Sequence, residues 1–285
     1  MKLGLSTAAL YGRLETEEAA AYIAAHGFDC AEAFLQTWSE YDLPFAAQVR
    51  RNLDPVPCTS VHPAGIQFEN QMIARSFRQR SDAYSVFSRV LDACAEMGAG
   101  TYVYHGRSTA LLHPLPWDLQ RNLDALDVMC RMAGERGVRI GWENVSWCQL
   151  TTPERVLEAR SVFEPVRYTL DIKQAMRAGV DPVQMARAMG DRLINVHILD
   201  WKEDGSLCLP GEGVFDFEAL FTALTEIGYD GPVIEEPYSA LVRSDEALMQ
   251  SVQYVRDVME RIRKKRDRRL EKQDACQAEG RRKDE

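Results

Sequence analysis

Residues 139–143 (RIGWE), 167–171 (RYTLD) and 193–199 (LINVHIL) are three short apolar runs with a polar residue at or near the end of each. Two amphipathic stretches, Pro153–Val162 and Pro182–Met189, separate them. Strands this apolar have no face suited to water, so they fit a parallel sheet that is covered on both sides. Parallel neighbours also need long crossover connections, which the amphipathic stretches provide as helices. This part of the chain therefore predicts a parallel α/β fold.

The same alternation extends over most of the remaining chain. The strand candidates are Lys2–Ser6, Cys30–Leu35, Cys58–His62, Thr101–His105, Arg139–Glu143, Arg167–Asp171, Leu193–Leu199 and Pro232–Glu236. The helix candidates are Thr16–His26, Leu43–Leu53, Ser76–Met97, Pro116–Glu135, Pro153–Val162, Pro182–Met189, Asp216–Ile227 and Ser244–Arg263. Helix boundary signals support the pattern, since Pro153 and Pro182 stand in first turns and Gly27 and Gly228 follow helix ends.

Eight strand and helix units in a chain of 285 residues fit one closed parallel barrel. An open doubly wound sheet is the alternative, and it would favour a glycine-rich phosphate loop after the first strand. The stretch that follows the first strand, residues 6–10 (STAAL), is not such a loop. We predict an α/β fold of the (β/α)8 TIM barrel type as a single domain over 1–263. Residues 264–285 are predicted to be a charged tail, either a frayed helix or disordered.

Composition limits the classes of function. Hydrophobic residues make up 46% of the chain and charged residues 27%, and the net charge is −9. The acidic balance disfavours nucleic-acid binding and favours a small-molecule partner or a bound cation. No apolar run approaches the roughly 20 residues of a membrane span, and no export signal precedes the first strand. We therefore expect no membrane partner and a cytoplasmic location. No two of the seven cysteines have the C-x-x-C spacing of a metal-binding or redox pair. We therefore expect the cysteines to be small buried apolar side chains.

Four polar residues end the last four predicted strands, namely Glu143, Asp171, His197 and Glu236. In a barrel of this kind the reactive groups lie at the carboxyl ends of the strands, and neighbouring strands are about 4.8 Å apart. Three carboxylates that face each other repel unless a cation lies among them. One imidazole with several oxygen ligands suits one divalent ion, namely Mn²⁺, Mg²⁺, Co²⁺ or Zn²⁺. The alternative is that each residue merely holds a loop at the rim.

Several short motifs occur in a characteristic order. They are Ser60-Val61-His62-Pro63, Glu143-Asn144, Leu170-Asp171, His197-Ile198-Leu199-Asp200, Pro210-Gly211-Glu212-Gly213 and the stretch from Gly228 to Glu236. On these motifs the chain resembles the sugar phosphate isomerase/epimerase superfamily of xylose isomerase-like barrels. This superfamily includes ketose 3-epimerases, inosose isomerases and dehydratases, and AP endonucleases. The resemblance covers about Lys2 to Arg263.

The resemblance implies that Glu143, Asp171, His197 and Glu236 are metal ligands. It also implies that Glu143 and Glu236 are the catalytic pair that removes and returns a proton. Glu235 is the competing neighbour of Glu236. Successive residues of a strand point to opposite faces, and the family pattern places an apolar residue just before the ligand, so we assign Glu236.

The chemistry is reasonable without the resemblance. A carboxylate removes a proton next to a carbonyl only if the developing enediolate is stabilised, which a metal ion does. We therefore expect a metal-dependent isomerase or epimerase that acts on a sugar, a sugar phosphate or an inosose, a small polyhydroxy carbonyl compound. Loss of a β-hydroxyl group from the same intermediate would make the enzyme a lyase or dehydratase. The remaining alternatives are a hydrolase similar to the AP endonucleases and a non-catalytic sugar-binding barrel.

Six further residues are candidates for substrate binding, namely His62, His105, Glu32, Gln174, Lys173 and Trp147. His62 and His105 end predicted strands and can bind sugar hydroxyls, although a histidine held within the barrel wall is the alternative. For Glu32 and Lys173 a structural salt bridge is an equal alternative. Trp147 can stack on the C–H face of a sugar, and ordinary packing of helices on the barrel is its alternative.

The endonuclease alternative meets a difficulty in the sequence. Similar nucleases hold three zinc ions with additional histidines, but Gln174 stands where the first of these is expected. Residues 205–210 (GSLCLP) lack the Asp and His of the second. A three-zinc cluster is therefore not expected. Similar barrels form dimers or tetramers, and a homo-oligomer stays open here because the sequence indicates no interface.

Overall fold

The computed structural model describes residues 1–64, 66–109 and 116–281, and eight parallel strands of this part form a closed barrel. The barrel strands are β1 (Lys2–Ser6), β2 (Cys30–Leu35), β3 (Cys58–Pro63), β4 (Thr101–Tyr104), β5 (Arg139–Glu143), β6 (Arg167–Asp171), β7 (Leu193–Ile198) and β10 (Pro232–Glu235). Their order around the barrel is β1, β10, β7, β6, β5, β4, β3, β2. A small antiparallel ribbon, β8 (Asp200–Trp201) with β9 (Leu207–Cys208), follows β7. The predicted (β/α)8 barrel is confirmed.

Helices connect the strands and cover the barrel. They are α1 (Thr16–Ala25), α2 (Leu43–Leu53), α3 (Ile66–Met72), α4 (Phe77–Met97), α5 (Leu119–Gly134), α6 (Pro153–Val162), α7 (Ile172–Arg177), α8 (Pro182–Met189), α9 (Phe217–Glu226) and α10 (Asp245–Arg281). Capping explains where α6 and α8 begin, since the side chains of Thr152 and Asp181 accept hydrogen bonds from first-turn amides. None of the helices within the described ranges is both long and apolar enough to cross a membrane.

The structure differs from the predicted helices at three places. The short helices α3 and α7 were not predicted, because seven and six residues carry too little periodicity. Helix α10 continues to Arg281 rather than ending at Arg263. Its charged end is rich in strong helix formers, and Lys264 pairs with Glu260 four residues earlier along the same helix. The frayed or disordered tail over 264–285 stays a prediction.

Strand register brings the predicted site residues to one end of the barrel. Asp171 on β6 is directly opposite His197 on β7, and His197 is opposite Ile234 on β10. Glu143 is the last residue of β5, and the amide of Glu236 donates to the carbonyl of Ile198 at 3.2 Å, just beyond the end of β10. All four candidate ligands therefore lie at the carboxyl end of the barrel.

The interior of the barrel is polar directly beneath this end. Glu32 on β2 and Asn195 on β7 belong to strands that are not neighbours, yet their side chains meet at 3.1 Å across the interior. Ser60 on β3 donates to the same carboxylate of Glu32 at 2.7 Å. Tyr168 on β6 instead packs outwards, since its hydroxyl reaches the Val156 carbonyl on α6. The apolar core thus lies between the strands and the helices, and the site rests on buried polar groups.

The loop after β7 is organised by one buried carboxylate, that of Asp200. It accepts hydrogen bonds from the backbone amides of Trp201, Gly211, Gly213 and Phe215 at 2.8 to 3.1 Å. The Gly211-Glu212-Gly213 turn therefore shapes the loop. It lets the backbone approach closely, since a Cβ atom on Gly213 would lie 2.3 Å from Asp200 Oδ1.

The substitution Asp200→Ala is expected to lower the free energy of unfolding by about 2 to 4 kcal/mol, because several amides lose their acceptor. Urea denaturation followed by circular dichroism measures the change. Glu203→Ala in the same loop is the control, since Glu203 is exposed and should change stability by less than about 0.5 kcal/mol. Equal stability of the two variants would show that Asp200 does not hold the loop.

Candidate metal centre and active site

A pocket of about 710 Å³ opens at the carboxyl ends of the strands. Its walls include the three candidate carboxylates, Glu143, Asp171 and Glu236, together with His62 and His105. Each of these side chains is at least nine-tenths buried. A pocket of this volume is ordinary for a small-molecule site. The position matches the end of the barrel at which such folds carry their chemistry.

His197 is buried behind the lining of the pocket, in contact with the carboxylates. Its Nδ1 atom is 3.3 Å from Glu143 Oε1 and 3.5 Å from Glu236 Oε2. Asp171 joins them, since ligand atoms of Glu143, Asp171 and His197 all lie within 4.8 Å of one another. The structure thus brings the four predicted ligands together around one point. Their role as ligands stays a prediction.

The donor set fits a divalent cation. Glu143 Oε2, Asp171 Oδ2 and His197 Nδ1 are buried and form no hydrogen bond within residues 1–64, 66–109 and 116–281, although Asp171 Oδ2 and His197 Nδ1 lie at ion-pair distance from Lys173 and Glu143. Buried polar atoms normally have partners, and several oxygens with one imidazole nitrogen form a common set for a divalent ion. Glu143, Asp171, His197 and Glu236 are therefore the residues that would hold it.

The electrostatics of the pocket favour positive charge at His197. Burial alone disfavours the imidazolium, but the carboxylates of Glu32, Glu236 and Glu143 outweigh it and raise the pKa of His197 well above its usual value. Burial raises the pKa of Asp171 to about 6, with Lys173 opposing the shift and Glu143 adding to it. Neighbouring carboxylates therefore account for the His197 shift, whereas burial is the main cause of the Asp171 shift and the carboxylates add to it. A divalent cation bound at this place would offset the negative charge.

The position of Glu32 fits the salt-bridge alternative of the sequence analysis. Rather than facing a substrate, its carboxylate is fully buried beneath the pocket. Its Oε2 atom is 2.9 Å from His197 Nε2 and accepts the hydrogen of that nitrogen, so Nδ1 is the atom that would act as a ligand once a metal ion displaces its proton. Burial opposes ionisation of Glu32, but the contacts with His197 and His62 hold its pKa well below the usual value. The geometry suits a group that orients His197.

We expect Glu32→Gln to weaken divalent-metal binding by about 10- to 100-fold, because the amide does not fix the imidazole in the same way. The neutral amide also leaves the hydrogen on His197 Nε2 without its charged acceptor. Competition with a fluorescent chelator measures the affinity. Glu40→Gln is the control, since Glu40 is also buried but lies beside Thr16 at the edge of the barrel. Unchanged affinity in Glu32→Gln would rule out the orienting role.

Lys173 and Gln174 line the pocket, as the sequence analysis expected, but both are engaged within the protein. Lys173 Nζ is 3.3 Å from Asp171 Oδ2 and 3.4 Å from Glu236 Oε2. Gln174 accepts hydrogen bonds from the amide and the hydroxyl of Ser146. Burial opposes the charge on Lys173, but the two carboxylates outweigh it and raise its pKa. The salt-bridge alternative therefore describes the Lys173 geometry.

His62 and His105 form a hydrogen-bonded pair, with 2.8 Å between their Nε2 atoms. His105 Nδ1 contacts Glu69 Oε2 at 3.0 Å, and His62 Nδ1 is 2.9 Å from Glu236 Oε1. The sequence analysis missed Glu69, which is buried on the short helix α3 and also accepts from the hydroxyl of Tyr102. This chain of contacts fixes both imidazole rings at the pocket wall.

The two adjacent glutamates at the end of β10 point in opposite directions. Glu236 faces the pocket, whereas Glu235 is fully buried and accepts a hydrogen bond from Ser251 on α10. Burial raises the pKa of Glu235 to about 8. The alternation argument that selected Glu236 agrees with the positions of these two glutamates.

Trp147 also lines the pocket, and its ring centroid is 5.8 Å from that of His105.

The fold and this cluster of buried carboxylates and histidines define a (β/α)8 barrel with a candidate metal centre at its mouth. The chain matches, over residues 20–264, the family described as xylose isomerase-like TIM barrel. Because the match spans most of the chain, the protein belongs to this family. The resemblance inferred from the motifs is confirmed.

Individual proteins of known sequence show more distant similarity. An uncharacterized protein from Mycobacterium leprae (strain TN) is 27% identical over 289 positions, which span 90% of this chain and 97% of the relative. An inosose dehydratase from Geobacillus thermodenitrificans (strain NG80-2) is 23% identical and spans 68% of this chain and 76% of its own length.

Solved structures show the same fold. A structure of D-psicose 3-epimerase in the presence of D-fructose aligns with a TM-score of 0.74 at 17% identity, covering 91% of this chain and 99% of its own. A structure of the IOLI protein with a binding zinc atom aligns with a TM-score of 0.72 at 20% identity, covering 92% and 99%. At these identities the alignments establish the fold.

Proposed function

We propose that this protein is a divalent-metal-dependent isomerase or epimerase of a polyhydroxy carbonyl compound, such as a sugar or an inosose, which acts through an enediolate. The observation that carries the proposal is the arrangement of Glu143 and Glu236. Strands β5 and β10 lie on either side of the β6 and β7 pair, so the two carboxylates flank Asp171 and His197. Both carboxylates lie within 3.5 Å of His197 Nδ1. That arrangement gives a bound substrate one carboxylate on each side.

In this mechanism the two carboxylates share the proton transfer. One accepts the proton from the carbon next to the carbonyl, and the other returns a proton from the opposite side. Return to the same carbon inverts its configuration, and return to the neighbouring carbon moves the carbonyl. A divalent ion held by Glu143, Asp171, His197 and Glu236 would polarise the substrate carbonyl and stabilise the negative charge of the enediolate.

The surrounding residues control where protons lie. Burial opposes ionisation of Glu236, but Lys173, His197 and His62 outweigh it and hold its pKa well below the usual value. The ammonium group of Lys173 offsets part of the negative charge of Glu236. The same ammonium group lies 4.9 Å from the ring centroid of Tyr238. Glu236 is thereby held in the ionised form that a base requires, while the same contacts make it a weaker base than a free carboxylate.

Dehydration is the second candidate, and the relatives favour it, since several proteins similar to this chain are inosose dehydratases. The same enediolate would lose a β-hydroxyl group instead of regaining a proton at the neighbouring carbon. His62, which is 2.9 Å from Glu236, could protonate a departing hydroxyl. The product therefore discriminates between the two reactions.

Proton exchange in D₂O tests the proposal. The protein is treated with chelator, then incubated with and without Mn²⁺, Mg²⁺, Co²⁺ or Zn²⁺ in the presence of a panel of ketoses and inososes. We expect metal-dependent incorporation of deuterium next to the carbonyl, detected by mass spectrometry and NMR. A product that has lost one water would identify a dehydratase. Compounds that bind the metal-loaded protein but exchange no proton would contradict both reactions.

A further inference from the structure

We propose that the natural substrate is uncharged and carries a second ring, as in a glycoside or another ring-substituted keto sugar, and that an aromatic wall at the pocket mouth binds this ring. The inference rests on the proposed function and names the substrate class of the same site. Two independent features of the pocket support it: the cationic groups have no free donors for a phosphate, and the mouth is aromatic.

The cationic groups of the pocket are already engaged. Among the described lining residues, Lys173 is the only lysine or arginine, and its ammonium group contacts Asp171, Glu236 and the ring of Tyr238. His62 uses Nδ1 with Glu236 and Nε2 with His105. Phosphate sites need several free donors, for which an arginine fork or an open helix N-terminus is typical. The phosphate of a phosphorylated sugar would therefore find no free cationic donor among the described lining residues.

The N-terminus of the helix next to the pocket is also occupied by a side chain of the protein. Helix α7 begins directly after Asp171, and the side chain of Asp171 accepts the hydrogen bond of the Gln174 amide at 2.9 Å. The carboxylate therefore takes the place that an anion would occupy. Arg177 at the other end of α7 points to Tyr238, whose hydroxyl it reaches at 3.0 Å, and it does not line the pocket.

A continuous row of rings leads from the mouth of the pocket to its floor. The ring centroids of Tyr11 and Phe34 are 6.3 Å apart, and those of Phe34 and His62 are 5.4 Å apart. Beyond His105, the row ends at Trp147. We call these five rings the aromatic wall. Tyr11 and Phe34 make one end of the wall apolar, whereas His62 and His105 belong to the polar network around Glu236.

Two tyrosine rings at the entrance are about half exposed to solvent. Tyr11 is 53% exposed and Tyr238 is 47% exposed, and both line the pocket. Aromatic faces of this kind bind apolar rings and the C–H faces of sugars. The polar floor suits one keto-polyol ring at the carboxylates. A second ring would then lie at the entrance, between Tyr11 and Tyr238.

Binding of three related glycosides tests the substrate class without turnover. The probes are methyl β-glucoside, its 6-phosphate and phenyl β-glucoside, and none has a carbonyl that permits proton exchange. We expect the Mg²⁺-loaded protein to bind the phenyl glycoside about 3- to 10-fold more tightly than the methyl glycoside, measured by calorimetry or ligand-observed NMR. The phosphate should bind more weakly than either. Tighter binding of the phosphate, or no preference for the phenyl group, would overturn the proposal.

Variants locate the effect. Tyr11→Ala should remove most of the preference for the phenyl group and leave methyl glycoside binding within about twofold. Phe77→Ala is the matched control, since Phe77 is 75% exposed on α4 and lies outside the pocket. A preference that survives Tyr11→Ala would overturn the assignment of the wall. Because the probes do not react, a failure of proton exchange with ketoses would contradict the proposed function but not this result.

Discussion

Replacing Glu236 with Gln, or Glu143 with Gln, is expected to lower the rate of metal-dependent proton exchange by about 10³-fold or more. The amide has nearly the same size and keeps one oxygen at the site, but it neither accepts nor returns a proton at neutral pH. Glu236 also contacts both His62 and Lys173, so its charge is part of a larger network. Exchange of substrate protons in D₂O measures the rate.

Glu235→Gln is the matched control for these substitutions. Glu235 precedes Glu236 on the same strand and is equally buried, but its side chain lies on the outer face and contacts Ser251 on α10. An amide oxygen accepts the same hydrogen bond, so we expect activity within about twofold of the unmodified protein. Circular dichroism checks that all three variants fold. Full activity in Glu236→Gln, or an equal loss in Glu235→Gln, would refute the assignment of the catalytic pair.

The strand ends could be predicted from the sequence because two of its features determine them, the apolar runs and the alternation of side chains along a strand. Apolar runs of five or six residues locate the strands, and the carboxyl ends of parallel strands meet at one edge. This argument is sufficient to place Asp171 beside His197 and to bring Glu143 and Glu236 close to them. Alternation along β10 then distinguishes Glu236 from Glu235. Each step depends on local sequence and on the closure of the barrel.

Glu69 and Glu32 could not be assigned in this way, because their roles depend on contacts between distant parts of the chain. Glu69 lies on a helix of seven residues and its sequence neighbours are ordinary, yet it contacts Tyr102 and His105 more than 30 positions away. Glu32 ends up beneath the pocket because its partner, Asn195, reaches it across the barrel interior from β7. The side chain of a residue near a strand end can point towards the substrate or lie below the pocket. The packing of the barrel interior determines which of the two occurs, and the local sequence does not show that packing.

Binding of a divalent ion is expected to raise the melting temperature of the protein by roughly 5 to 10 °C. An ion at about 100 times its dissociation constant stabilises the folded state by about 2.7 kcal/mol. In a chain of this size each kcal/mol corresponds to about 2 to 4 °C. The physical source is the repulsion among Glu143, Asp171 and Glu236, which the ion relieves. Differential scanning fluorimetry with Mn²⁺, Mg²⁺, Co²⁺ or Zn²⁺ after chelator treatment measures the shift.

Two histidine variants separate the proposed centre from weak binding of ions to the acidic surface. In His197→Ala the shift should fall below about 2 °C, because the ligand at the centre of the carboxylates is lost. His26→Ala should keep the full shift, since His26 stacks on Tyr22 at the end of α1, outside the pocket. An equal shift in both variants would place the ion elsewhere. No shift with any of the four ions would contradict a metal centre formed by His197 and its three carboxylates, and with it the mechanism that depends on them.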